Sequence, residues 1–333
     1  MTMKEQSKEP LLEVRDLCVD FRVPGGYATA IRGVDLTVGR GEVVGLVGES
    51  GSGKSISMMA LLRLLPAAAR VSGTARFDGV DLLSLSPREL SHIRGGRIGM
   101  IFQDPLTAFN PVLTIGAQIV EALQLHDHNL SGKAAWTRAV ELLAEVAIPE
   151  PGRRVHQYPH EFSGGMRQRA MIAMAISNRP QLLIADEPTT ALDVTVQAQI
   201  LELLQRLREE LNIGMIMITH DLGVVAGIAD RVMVMYSGRV IERGEVDDVF
   251  YASRHPYTRG LLAALPKLDG GREALVGIAG TPPSLVNRPA GCAFRPRCGH
   301  AEAVCATAEP PLLRAGQLES ACYVSDRLSG MTP

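Results

Sequence analysis

No stretch of this 333-residue chain approaches the ~18 uninterrupted apolar residues that crossing a bilayer requires. The longest candidate, Met58 to Ala69, is broken by Arg63 and Pro66. The first ten residues, MTMKEQSKEP, lack the apolar centre of a secretory signal, so a cytosolic address is expected. Charge of one sign is not in surplus. Lys and Arg number 34 against 36 Asp and Glu, a formal net charge of −2, which argues against a dedicated nucleic-acid surface. Internal repeats and low-complexity tracts are also absent. Cysteines are few, five in all, and a cytosolic address disfavours pairing them as disulfides. Four of them nevertheless crowd together at Cys292, Cys298, Cys305 and Cys322.

What is present is an ordinary globular composition, 46% hydrophobic and 21% charged, and a length that suits one large domain with an appendage or two domains. Residues 12–21 alternate apolar and polar side chains as a half-buried strand does. Buried-strand runs follow at 42–47, 97–102, 181–185, 214–219 and 231–236, with helical patterns between several of them, notably from Ser55 to about Leu65 and over 194–211. Strands alternating with helices point to an α/β fold with a largely parallel sheet. Between Gln103 and Pro180 the pattern turns helical, at 116–125, 134–146 and 166–177, which reads as an inserted helical lobe. From about Phe250 onward Pro and Gly become frequent and long periodic elements fade, so the C-terminal region is expected to have little core of its own.

Residues 48–55, GESGSGKS, match the phosphate-binding loop G-x4-G-K-[ST]. Average residue usage would produce that pattern roughly once in a hundred chains of this size, and here it also sits between a strand and a helix. Gly48, Gly51 and Gly53 let backbone amides approach a polyphosphate, with Glu49, Ser50 and Ser52 between them. Lys54 brings a compact cation to the β- and γ-phosphates, Ser55 offers a hydroxyl to Mg²⁺, and the helix N-terminus adds its dipole. Residues 182–187, LLIADE, end an apolar strand in two carboxylates. Asp186 is placed for Mg²⁺, and Glu187, facing the other way along the strand, for an attacking water. Cys18, at an apolar position of the first strand, reads as a small core residue.

Residues 162–169, FSGGMRQR, resemble the signature of the ATP-binding-cassette (ABC) ATPases, with Met166 where that family usually has glutamine. The resemblance covers roughly residues 11–250. Gln103 matches the glutamine of the Q-loop, Ser163, Gly164 and Gly165 the signature, Ala191-Leu192-Asp193 the D-loop, and His220 the switch histidine. It implies a P-loop NTPase core of RecA-like type with a mixed sheet at 11–103 and 181–250, a helical lobe carrying the signature at 104–180, and a small Cys-containing extension at 251–333. It also implies an ATPase in which Glu187, His220 and Gln103 are catalytic, with Ser55, Gln103 and Asp186 around Mg²⁺. Ser163–Gly165 and Asp193 would complete the site of a second cassette. An aromatic side chain stacks on adenine in the family; Tyr27 is the best placed candidate and Phe21 the second.

HPYTRGLLAAL at 255–265 and GCAFRPRC at 291–298 resemble the oligopeptide, dipeptide and nickel import branch. That likeness implies ATP-powered uptake of peptides, with nickel or another small solute, or a cassette that binds ATP without hydrolysing it, as alternatives. The implied partners are a second ATPase subunit, commonly a paralogue, two transmembrane permease subunits and an extracytoplasmic binding protein. The implied address is the cytoplasmic face of the membrane, and no nucleic acid is involved. The four clustered cysteines have five, six and sixteen residues between them, a poor fit to zinc ribbons. Relatives in this branch are associated with a [4Fe–4S] cluster; zinc and no metal at all are the alternatives. Arg295 and Arg297 are expected to lie beside these ligands and favour their thiolates.

Overall fold

The computed structural model describes residues 9–265 and 277–328, which fall into two compact units. One contains Leu12–Val38, Val43–Leu83 and the described residues from Ile218 onward; the other contains Gly39–Glu42 and Ser84–Met217. No described helix is long and apolar enough to cross a membrane.

The first unit opens with β1 (Leu12–Val23) and β2 (Gly26–Val38), joined by the two-residue turn Pro24-Gly25. Gly25 has φ +90°, the conformation such a tight hairpin turn requires. Then come β3 (Val43–Val47), wholly buried, β4 (Arg70–Phe77) and β5 (Val80–Asp81). Strands β2-β1-β4-β5 form an antiparallel sheet. Its register shifts between Val14 and Leu17, where Asp16 adopts φ +49°. The shift moves Cys18 off the core face: it is half-buried and its sulfur accepts the Gly33 N–H at 3.2 Å, so it is not the simple core residue its position suggests.

The second unit holds β6 (Ile98–Ile101), β7 (Leu182–Asp186) and the first residues of β8 (Gly214–Thr219), in the order β8-β7-β6, with β6 and β7 parallel. Helices Ile115–His126, Gly132–Glu145 and Gly164–Ile176 pack their apolar faces together, burying Ile119, Leu123, Ala139, Leu142, Ala170 and Ile172. Each begins at a hydroxyl residue, Thr114, Ser131 or Ser163, whose oxygen accepts an N–H of the first turn.

Back in the first unit, β9 (Arg231–Tyr236) and β10 (Arg239–Glu245) make a hairpin, and β9 runs parallel to β3. The C-terminal region then departs from expectation. Helices Val246–Ala252 and Pro256–Ala263 follow, and a hairpin of β11 (Leu313–Ala315) and β12 (Leu318–Ser320) adds itself to β10, giving the order β11-β12-β10-β9-β3. Phe294 is buried against Tyr236 and Tyr257, with ring centroids 5.3 and 5.4 Å away. The extension therefore shares a core with the unit's sheet. Parallel and antiparallel pairs coexist, so the sheet is mixed, while more of its pairing is antiparallel than the alternating pattern suggests.

Glu242 on β10 is fully buried, and its Oε1 accepts the backbone N–H groups of Arg254 (2.7 Å) and His255 (2.9 Å). Burial pushes its pKa up to about 7, outweighing these donors and the facing hydroxyls of Thr258 and Ser320. Between pH 4.5 and 7 the native carboxyl keeps a proton that the unfolded chain has released. Stability therefore falls as pH rises through that window, by on the order of 3 kcal/mol, and levels off above it. Glu242→Gln is expected to remove this component: the difference in thermal midpoint between variant and parent should grow steadily from pH 5 to 7. A constant difference would show that Glu242 does not titrate there.

Candidate functional site

The phosphate loop lies in the first unit. β3 delivers the chain to Gly48, and the helix Lys54–Leu61 starts directly after Gly53, whose φ is +107°. A Cβ on Gly48 would stand 2.3 Å from the backbone oxygen of Met235, and φ at Gly48 is +157°, so only glycine fits there. Among described helices of eight residues or more, this one alone has no side-chain cap; the others are capped by Thr114, Ser131, Ser163, Asp193 and His255. A helix start without a side-chain cap is where an anion is favoured by the helix dipole. Ser52 is 4% exposed, and its Oγ has no hydrogen-bond partner. Lys54, 5% exposed, folds back so that Nζ donates to the carbonyls of Gly48 (2.6 Å) and Glu49 (3.1 Å). An uncapped helix start, an orphaned buried hydroxyl and a buried ammonium together fit a polyphosphate.

Asp186, Glu187, Gln103, Asp193 and Ser163–Gly165 lie in the second unit. Asp186 ends β7 with its side chain almost fully buried. Glu187 has left the strand: its φ of +47° turns it, rather than the pleat alternation expected from sequence. Its Oε2 accepts from Thr190 Oγ1 (2.7 Å) and Gln103 Nε2 (3.1 Å), so two donors orient the carboxylate. Ser163 caps the signature helix through Met166 N–H (3.3 Å), and Asp193 caps the helix Val194–Leu211 through Val196 N–H (2.9 Å). These two helix starts touch: a Cβ on Gly165 would meet Val196 Cγ1 at 2.9 Å. Ser55 in the first unit, and Gln103 and Asp186 in the second, each carry a side-chain oxygen, the donor chemistry Mg²⁺ prefers.

His220 lies exposed just past β8, in the first unit. Tyr27 is 44% exposed, and the Arg70 guanidinium lies 3.7 Å from its ring centroid, while Phe21 is half-buried. The four cysteines line one small cavity together with His255 and Phe294. Among the described residues, no three His, Cys, Asp or Glu side chains are disposed to hold a metal ion, which lends support neither to zinc nor to an iron–sulfur cluster. Burial pushes up the thiols of Cys292 and Cys298, and that of Cys322 to about 12. The arginines expected to counter this do not do so for one of the two: Arg297 is turned away onto Glu49.

Residues 31–190 match the family model of the ABC transporter, and residues 241–305 that of the oligopeptide/dipeptide transporter C-terminal region. The chain is 52% identical over 308 residues to the oligopeptide transport ATP-binding protein OppD of Escherichia coli, covering 92% of this chain and 91% of that one. It is 53% identical over 307 residues to OppD of Bacillus subtilis, covering 91% and 86%. It belongs to the ABC transporter ATPases. In fold it is similar to the ATP-binding cassette MJ0796, solved as a dimer in a post-hydrolysis state with ADP and Pi; the TM-score is 0.64 at 29% identity, over 71% of this chain and 98% of that one. This member of the family is thus a cassette ATPase with the C-terminal region of the peptide-transporter branch.

Motif reading did not find Thr190, Arg70, Tyr257 or the true partner of Arg297. Thr190 sits three residues after Glu187, the reach of a hydroxyl across a turn, and could have been suspected. The others depend on contacts between residues far apart in sequence and leave no local signal. Gly48→Ala is expected to lower the cassette's affinity for a fluorescent ATP analogue at least about a hundredfold, equivalent to roughly 3 kcal/mol. Retention of wild-type affinity would remove Gly48 from the phosphate site.

Proposed function

We propose that the cassette is the ATP-hydrolysing subunit of a peptide importer, peripheral on the cytoplasmic face of a membrane through permease subunits. The observation that carries the nucleotide part is the uncapped, glycine-led helix start at Lys54, with the unpartnered Ser52 hydroxyl beside it in sequence. The OppD likeness over nine-tenths of the chain supports the peptide part. A second cassette, commonly a paralogue in this branch, two permeases and an extracytoplasmic binding protein complete the assembly in this reading.

The roles follow from the side chains. The amides of 48–55 and Lys54 bind the phosphates, Tyr27 or Phe21 covers the adenine, and Ser163–Gly165 with Asp193 serve the partner cassette's nucleotide. Bound Mg²⁺, held by Ser55, Gln103 and Asp186, would supply charge neutralisation to the phosphates. Glu187 accepts the proton of the attacking water, with Gln103 and Thr190 holding its carboxylate in place. His220 and Gln103 sense the terminal phosphate. Apposition of two capped helix starts to a second subunit's phosphates turns binding into a clamp, and release of phosphate opens it.

For the cysteines the reading is a [4Fe–4S] cluster. Four thiols lining one cavity support it. Its contribution would be to tie the segment 292–305 to Cys322, just past β12. Protein purified anaerobically is expected to carry iron and acid-labile sulfide with broad visible absorbance, lost in Cys322→Ser; protein free of iron by the same route would retire the cluster. For catalysis, Glu187→Gln is expected to keep ATP binding while cutting turnover by roughly 10²–10⁴-fold. Near-normal hydrolysis in steady-state assays would take the base role from Glu187.

A further inference from the structure

Glu49 is an anomaly within its own loop: a carboxylate placed where a polyanion is to bind. Arg297, from the C-terminal extension, meets it as a fork, Nη1 donating to Oε2 at 2.6 Å and Nη2 to Oε1 at 2.9 Å. The guanidinium is 4% exposed and the carboxylate 28%. Further donation from Arg297, Nε to the Ala279 carbonyl at 2.9 Å and Nη2 to that of Ile278 at 3.3 Å, fixes the fork from behind. Glu49 is held at its backbone as well. Its N–H donates to the buried Tyr257 hydroxyl at 2.8 Å, and its carbonyl accepts from Lys54 Nζ at 3.1 Å. The residue is thus gripped at side chain, amide and carbonyl, twice by the extension and once by the lysine of the loop itself.

A buried ion pair is a weak source of stability, since the desolvation of both charges offsets most of their attraction. Its effect on a neighbouring charge is larger. Unpaired, the Glu49 carboxylate would place a full negative charge in the loop that receives phosphates; paired with a guanidinium that stays protonated, it contributes almost none. We propose that Arg297 is a positioning residue of the ATP site, cancelling and anchoring the Glu49 charge so that the phosphate loop can accept a triphosphate. The C-terminal extension is then a working part of the nucleotide site. This rests on the reading of 48–55 as that site, which the parent protein's own ATP binding tests separately.

The experiment is ATP hydrolysis by the full chain in its transporter complex, with kcat and KM determined separately. Arg297→Met is expected to raise the KM for ATP about tenfold with kcat within about twofold, because one uncompensated charge now opposes the ligand. Glu49→Gln is expected to lower KM about threefold, and Glu49→Gln with Arg297→Met to return it to within about threefold of the parent. A purely structural pair gives the opposite pattern, both single variants raising KM and the double variant no better than either; that result overturns the proposal. Should Arg297→Met fail to fold, Arg297→Lys and Glu49→Gln decide it. The lysine variant must hold KM within about threefold, and any rise in KM from Glu49→Gln refutes charge cancellation. A parent that neither binds nor hydrolyses ATP would instead refute the site itself.

Discussion

A helix N-terminus carries a positive dipole end, and this cassette is arranged around one such start that no side chain caps. The helix at Lys54 has neither a side-chain cap nor an acidic residue in its first turn, while the other described helices of eight residues or more are closed by a hydroxyl, carboxylate or imidazole. Gly53 at φ +107° and Gly48 against the Met235 carbonyl show why no ordinary residue could lead into it. A Ser or Asp at position 53 is excluded by that φ and by a Cβ that would stand 2.5 Å from Ile31 Cδ1. The loop accepts a local loss of helix stability, typically about 1 kcal/mol for a missing cap, in exchange for an open set of donors.

The signature and D-loop helices follow the reverse logic. Ser163 and Asp193 each accept an N–H of their own helices, so both starts are capped by a side chain, unlike the Lys54 helix. In the proposed reading, such a start gains a phosphate when a second subunit presents one and loses it again with its own cap to return to, as a clamp that must reopen requires. Gly165 against Val196 places the two capped starts in contact, so movement of one is felt by the other.

What could be read from the sequence follows how far each feature depends on distant residues. The helix 194–211 and the strands 214–219 and 231–236 agree to the residue with the apolar patterns, because each is buried by its own run of Val, Ile, Leu and Met. The phosphate loop was legible because its chemistry demands an unusual string of glycines. β2 was not proposed, although Val34, Leu36 and Val38 alternate cleanly with Asp35 and Thr37; Gly33 and the irregular register beside it broke the pattern early. β11 and β12 have only three residues each and exist because β10 offers an edge, which no window of sequence contains. Arg297 was misread for the same reason. Its neighbour in sequence is Cys298, but its partner in space is 248 positions away.

These long-range contacts change how the extension should be regarded. A short tail rich in Pro and Gly has too little apolar surface to order itself, and this one borrows its order from the ATP-binding unit. Phe294 enters between Tyr236 and Tyr257, β12 completes the sheet at β10, and Arg32 and Arg239 both reach Glu309. In a chain with only 4% aromatic residues, setting three of them together at this junction concentrates packing where the extension meets the sheet. Tyr257 and Arg297 then act on Glu49 from that same junction. An extension anchored in this way cannot loosen without releasing contacts to the phosphate loop, and a loop filled by nucleotide must in turn favour the docked extension, because coupling between two such elements is reciprocal.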